Sequence, residues 1–506
     1  MKNTKRVISI ILAVTMCISV FSLPVWAGIF DKKEEEQKQP LEILTIFVEG
    51  INCGDIVDAK TGERLFPPST DSIVSAVAKA LPDTIAGEIQ NDDEKIVESL
   101  VNGITEVFDR CSMDENGNSK PGVKFDYQWP SIRDIKKTVK AGEENHRITY
   151  CYDWRLDMKT TAAGLHKYIE YVMQASGVKK INLVGFSMGA AAVMSYLKLY
   201  EDEYKDYING VVLLAAGCNG SSACGQPFSR KVNVDKSALI NYVDSMLGFD
   251  LGAIIESSLI HKLGALSVTE GVIDWVDGVL DKYLDDVYDG MFMNTFGTMP
   301  GLWSLVPEED YALARQNVPQ DANDEFVEKI DWYHNQVALN KNRIIDGVID
   351  NGLRFGILVK YGFPITPVTE NSAVLSDGVI DTRYESFGAT CADIGSTLGK
   401  DYVQKNDNGH NCLSADGLID SSTCDYCDRT WFFKNCEHSS GLDAAMELFT
   451  HIFYDETQPT VWDGDYPQFL IIKENKPVAL TENNYVNYYS DTTADENSGL
   501  FQACRC

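Results

Sequence analysis

Apolar runs of strand length alternate along this chain with amphipathic stretches of helix length. Leu41–Val48 (LEILTIFV), Arg147–Tyr152 (RITYCY), Ile181–Val184 and Gly210–Gly217 (GVVLLAAG) are the first such runs, and Thr160 to Gln174 reads as a helix between the second and the third. Short continuous apolar runs separated by helices predict a mainly parallel, doubly wound α/β sheet. From about Cys218 to Asn351 the strand rhythm stops, and amphipathic helical stretches with many Met, Leu and aromatic residues take over. That segment reads as a helical cap inserted into the sheet domain. The sheet resumes with Phe355–Tyr361 and Thr430–Lys434, and a helix over Leu442–Phe453 closes it.

The ends carry different patterns. Lys2, Lys5 and Arg6 precede an apolar run from Val7 to Phe21, and Val25-Trp26-Ala27 has the small residues that a signal peptidase reads, so residues 1–27 are expected to be a secretory signal. Nothing later approaches the roughly 18 uninterrupted apolar residues of a membrane span, so no stable membrane anchor is expected. Met16 before Cys17 is larger than the residue that lipidation sites carry there, which argues against a lipoprotein. Residues 28–40 include the run DKKEEEQK and read as a solvated, charged linker. The expected organisation is then a core in two parts, 41–217 and 352–460, the cap at 218–351, and a C-terminal extension at 461–506.

Composition narrows the partners. The net charge of −31 would repel nucleic acid and anionic membranes, so neither is expected to be held by charge. Of 13 cysteines, Cys17 lies in the signal, which leaves an even number compatible with disulfides outside the cell. Cys412, the Cys424-Asp425-Tyr426-Cys427 run, Cys436, His410 and His438 offer only half of a zinc signature, so disulfides or free thiols are preferred there and neither metal nor cofactor is expected.

The sharpest chemical signal is Gly185-Phe186-Ser187-Met188-Gly189. An apolar strand leads in and an Ala-rich helical run leads out, so the serine sits on a strand-to-helix turn that lifts its hydroxyl clear of the sheet. Flanking glycines leave room for that turn. A serine nucleophile needs a base and an acid, expected in the order Ser, Asp or Glu, His, on loops after later strands. Asp377 in Ser376-Asp377-Gly378 follows the first resumed strand and is favoured as the acid. Asp416 repeats the pattern inside a polar insert that would equally suit calcium. His438, just beyond Lys434, is favoured as the base over His410.

This order of segments resembles an α/β-hydrolase. Within that fold, Tyr152-Asp153-Trp154-Arg155-Leu156-Asp157 resembles a signature of the lecithin:cholesterol acyltransferase family. Val48-Glu49-Gly50 is similar to its oxyanion loop, Met299–Pro307 to its cap segment, and Ser376–Ile380 to its acid loop. Phe186 stands where that family has histidine and Glu49 where it has proline. With the secretory signal, the resemblance implies an esterase or lipase acting outside the cell on lipid-like esters, with Ser187, Asp377 and His438 catalytic. The backbone N–H groups of Ile51 and Met188 would form the oxyanion hole. Trp154, Arg155 and Trp303 are candidate substrate-binding residues. An Arg155 packed structurally against the sheet edge is an equal alternative, as is plain helical packing for Met291, Phe292, Met293, Phe296 and Trp303 in place of a lipid tunnel. Acyl transfer to an alcohol, or a binding protein on a decayed hydrolase fold, are the alternative functions.

Overall fold

The computed structural model describes residues 42–51, 53–69, 92–141, 147–231, 288–366 and 369–485, with 72, 75, 76, 79 and 90. The expected signal and charged linker lie outside the described residues, as do 232–287 of the cap and 486–506. Strands β1 (Ile43–Val48), β2 (Arg147–Tyr150), β3 (Lys180–Phe186), β4 (Ile208–Leu214), β5 (Arg354–Tyr361), β6 (Thr430–Lys434), β7 (Phe469–Lys473) and β8 (Lys476–Ala479) form one 8-stranded sheet. The spatial order is β8-β7-β6-β5-β4-β3-β1-β2, parallel except for the β7–β8 hairpin. This is the α/β-hydrolase architecture that the sequence implies.

The strands are apolar on both faces because both faces are covered. Ile181 and Leu183 of β3 face one core, which takes in Leu165, Ile169 and Val172 of helix α1 (Met158–Ser176). Val184 faces the other, with Val212, Leu358, Trp431 and the Leu448 and Ile452 side chains of the helix at Leu442–Tyr454. The Asp157 carboxylate accepts the Thr160 N–H to start α1, and Gly177, at φ 81°, ends it. Helix α2 (Met188–Leu199) is buried from Met188 to Leu197, sandwiched between sheet and cap. Its Ala190-Ala191-Ala192 run suits that place, since only short side chains let a helix lie so close to a sheet.

The sheet extends past the helix expected to close it. β7 pairs with β6, and Glu474 and Asn475, at φ 51° and 58°, turn the chain into β8. A two-residue turn with both φ positive matches the twist of a hairpin. Part of the expected C-terminal extension thus belongs to the sheet. In the described parts of the cap, helices at Glu308–Ala314, Asp324–Gln336 and Lys341–Asp350 and several short turns pack on the core. Among the described residues no helix is long and apolar enough to cross a membrane.

A very close contact joins α2 to β1. A Cβ on Gly189 would lie inside the van der Waals envelope of the Val48 carbonyl oxygen and 2.5 Å from that of Glu49. Gly189→Ala is therefore expected to destabilise the fold by about 3 kcal/mol. Urea denaturation checks this, and a midpoint equal to wild type would contradict the close approach.

Candidate active site

β3 ends at Phe186, and the chain reverses into α2 through Ser187, which has φ 57° and ψ −129°. A non-glycine residue with positive φ persists only where its neighbours hold it. Here the Ser187 N–H donates to the Leu214 carbonyl at 3.1 Å, and the Ser187 carbonyl accepts from the Ala190 and Gly217 N–H groups at 3.0 Å each. Both peptide groups of the strained residue are thereby anchored. Met188 opens α2, so its N–H belongs to the first turn, where amides have no helical acceptor. The Glu49-Gly50-Ile51 segment lies against the serine: a Cβ on Gly50 would fall 2.7 Å from Ser187 Cβ and 3.0 Å from its Oγ.

Asp377 and His438 arrive from the ends of β5 and β6. The Asp377 N–H donates to the Ile380 carbonyl at 3.2 Å, and its Oδ1 accepts from the Val379 and Ile380 N–H groups at 2.9 and 2.7 Å. The His438 N–H donates to the Asp377 carbonyl at 3.0 Å, which locks the two loops together. Their side chains meet at 2.5 Å between His438 Nδ1 and Asp377 Oδ2, and His438 Nε2 stands 2.8 Å from Ser187 Oγ. Burial pushes the Asp377 carboxyl up, but His438 and the two amides outweigh it and hold the group below the usual carboxylate range. An ionised Asp377 takes the Nδ1 proton as a hydrogen bond, and the neutral ring then offers Nε2 to the serine hydroxyl.

Sequence reasoning missed the supports of this array. Lys360, fully buried near the end of β5, donates from Nζ to the His438 and Ser440 carbonyls at 2.6 and 2.7 Å. Its own N–H donates to Glu385 Oε2 at 2.9 Å. Phe186 stacks on the imidazole, with ring centroids 5.2 Å apart. The available signal was a lysine within the apolar run FGILVKY: a charge with no solvated face must find buried partners.

The other candidates lie elsewhere. Arg155 has no exposed surface, and its guanidinium donates to both carboxylate oxygens of Asp153, at 2.9 and 2.7 Å, to the Cys111 carbonyl and to Ser119 Oγ. That geometry is a brace between loops, the alternative role considered for this residue. Trp154 is fully buried against Phe66, and Trp303, buried against Phe228, donates Nε1–H to the Gly297 carbonyl at 2.9 Å. Met293 and Phe296 are buried in the same core, while the Met291 side chain lies outside the described residues. Asp416 pairs with buried Lys434 at 2.7 Å and accepts from Tyr361 Oη at 3.1 Å, and His410 stacks on Trp462 at 3.9 Å. Neither joins Ser187. Among the described residues no group of three or more His, Cys, Asp or Glu side chains is arranged to hold a metal ion.

Comparison with known proteins adds to the geometry. Residues 112–241 match the family model described as lecithin:cholesterol acyltransferase, a stretch that contains Tyr152–Asp157 and the Ser187 elbow. The chain has an α/β-hydrolase fold and is similar to the lecithin:cholesterol acyltransferases. A relative from Arabidopsis thaliana, lecithin-cholesterol acyltransferase-like 4, is 27% identical over 114 residues, which cover 22% of this chain and 19% of that protein. The chain thus aligns with about a fifth of that relative's length. Asp377 and His438 lie outside the family match, so their assignment rests on the geometry.

Glu49, beside the serine, generates a pH-dependent prediction. Burial pushes its carboxyl from 4.5 up to about 7, against the pull of Arg147. Between those values the folded state holds more protons than the unfolded, so this group's contribution to stability falls as pH rises through the window and is fully lost above it. Glu49→Gln removes the charge. Relative to wild type, the variant is expected to gain about 3 kcal/mol in stability at pH 8 over the difference seen at pH 4.5. Urea unfolding at both pH values checks it, and a difference independent of pH would contradict it.

Proposed function

We propose that this protein is an exported serine esterase or lipase that cleaves lipid-like carboxylic esters through an acyl-enzyme. The observation that carries the reading is the continuous hydrogen-bonded array from Ser187 Oγ through His438 to Asp377, on a strained strand-to-helix turn. In this reading His438 Nε2 takes the Ser187 proton as Oγ attacks the ester carbonyl, and Asp377 stabilises the resulting imidazolium. Charge on the tetrahedral oxygen would be met by the N–H groups of Met188 and Ile51, each worth about 3 kcal/mol. His438 then returns the proton to the leaving alcohol, and water, activated by the same base, releases the acid. Similarity to the lecithin:cholesterol acyltransferases supports a lipid-like substrate, and the N-terminal basic and apolar pattern supports export.

The family likeness also favours a second reading, acyl transfer to an alcohol. Transfer defeats hydrolysis only where a site excludes water and positions the acceptor.

Ser187→Ala is expected to lower turnover of p-nitrophenyl esters by about 10,000-fold or more, with an unchanged circular dichroism spectrum. Activity within tenfold of wild type would reject Ser187 as the nucleophile. With phospholipid or acylglycerol plus excess long-chain alcohol, free fatty acid is the expected main product by mass spectrometry. A dominant new alkyl ester would make the protein a transferase.

A further inference from the structure

Beyond Asp377 the chain folds back on itself within a few residues. Asp381 starts the one-turn helix α3 (Thr382–Glu385), whose Tyr384 and Glu385 N–H groups donate to the Asp381 carbonyl at 2.9 and 3.0 Å. The Asp381 carboxylate is itself fixed by the Ser222 N–H and Oγ, at 2.8 and 2.6 Å. The backbone between Asp377 and Glu385 is therefore pinned at both ends, and the turn of helix sets the Glu385 carboxyl beside that of Asp377, where the two interact.

Glu385 has 0% exposure. Its Oε2 accepts the Lys360 N–H at 2.9 Å, while its Oε1 is buried and meets no hydrogen-bond donor among the described residues. If both carboxyls were ionised, an acceptor would face an acceptor in a site closed to water, at a cost that buried groups avoid by taking up a proton. One proton removes the conflict, because a carboxylic acid is a donor.

We propose that Glu385 is a neutral carboxylic acid that donates its O–H to Asp377, a positioning residue that holds the acid of the array in the rotamer facing His438. Burial first, and then the charge of Asp377, keep the Glu385 carboxyl far above the usual carboxylate range, and the Lys360 amide opposes them without prevailing. Asp377 then has a donor on every side: the Val379 and Ile380 amides, His438 Nδ1 and the Glu385 O–H. Lys360 links the two halves of the arrangement, with its amide on Glu385 and its ammonium on the His438 carbonyl. A carboxylate held from several directions cannot swing away as the imidazole gains and loses charge. The role rests on the proposed chemistry of Ser187, though the hydrogen bond does not.

Two substitutions separate a donor from a mere filler of space. Glu385→Gln keeps an N–H for Asp377 and a carbonyl for the Lys360 amide, whereas Glu385→Met keeps the length and offers neither. On p-nitrophenyl esters, Glu385→Met is expected to lower kcat by about 30-fold with KM little changed, since misplaced catalytic groups cost rate more than binding. Glu385→Gln should stay within about threefold of wild type. By proton NMR, the downfield His438 Nδ1–H resonance should persist in the Gln variant and shift or broaden in the Met variant. Wild-type kcat in folded Glu385→Met, or equal losses in both variants, would overturn the proposal. If Glu385→Met does not fold, an inactive but folded Glu385→Gln overturns it alone. A wild-type protein inert to every ester would instead reject the reading of Ser187, and the NMR resonance would then decide the question of Glu385.

Discussion

The rest of the site depends on the close approach of α2 to the end of β1. A helix whose first turn nearly touches the Val48 and Glu49 carbonyls leaves no room for a side chain at Gly189, and it forces the residue joining β3 to α2 into positive φ. The strain at Ser187 is offset by hydrogen bonds to Leu214, Ala190 and Gly217, so the serine is fixed to the two central strands and not carried on a loop. The same approach sets Gly50 against Ser187 Cβ, and it thus brings the start of the Gly50–Ile51 turn and the start of α2 to one side of the hydroxyl. Backbone geometry supplies the position of the Ser187 hydroxyl and the nearby amides together.

Asp377 and His438 are fixed in a different way, by buried charge. Asp377, Glu385 and Lys360 are all fully buried, and none would be tolerated alone. Lys360 joins β5 to the His438 loop through two carbonyls and to α3 through its amide. The neighbouring Asp416–Lys434 pair does similar work in the polar insert, tying it to β6 and to Tyr361. Two Asp-Gly turns of nearly identical sequence thus serve different ends, one turned toward an imidazole and the other toward an ammonium.

Much of this was legible in the sequence, and the exceptions have physical causes. Burial on both faces writes itself as continuous apolar runs, so β1 to β6 stand out, as does the helix after Thr430–Lys434. β7 and β8 form a half-exposed hairpin at one edge of the sheet, and their apolar content is diluted by Lys473, Lys476 and the Glu474-Asn475 turn. The elbow is legible because its glycines are steric necessities. Asp377 and His438 could be chosen by their order after strands, yet nothing in the local pattern separates Asp377 from Asp416, because the partner that distinguishes them is remote in sequence. Lys360 and Glu385 were passed over for the same reason: a charged residue in an apolar or turn segment announces burial without naming its partner. Arg155, Trp154 and Trp303 show the converse. Their residue types suit ligand contact, but the Arg155 and Trp303 donors are taken up by Asp153, Cys111 and Gly297, and the Trp154 and Trp303 rings pack on Phe66 and Phe228.

The central claim is that Ser187 acts as a covalent nucleophile activated by His438. Treating the folded protein with a fluorophosphonate that reacts only with activated serines, then mapping the adduct by peptide mass spectrometry, tests it most directly. The account predicts one adduct, on the peptide carrying Ser187, absent when His438 is replaced by alanine. A folded protein that takes up no label, or takes it up at another residue, would contradict it.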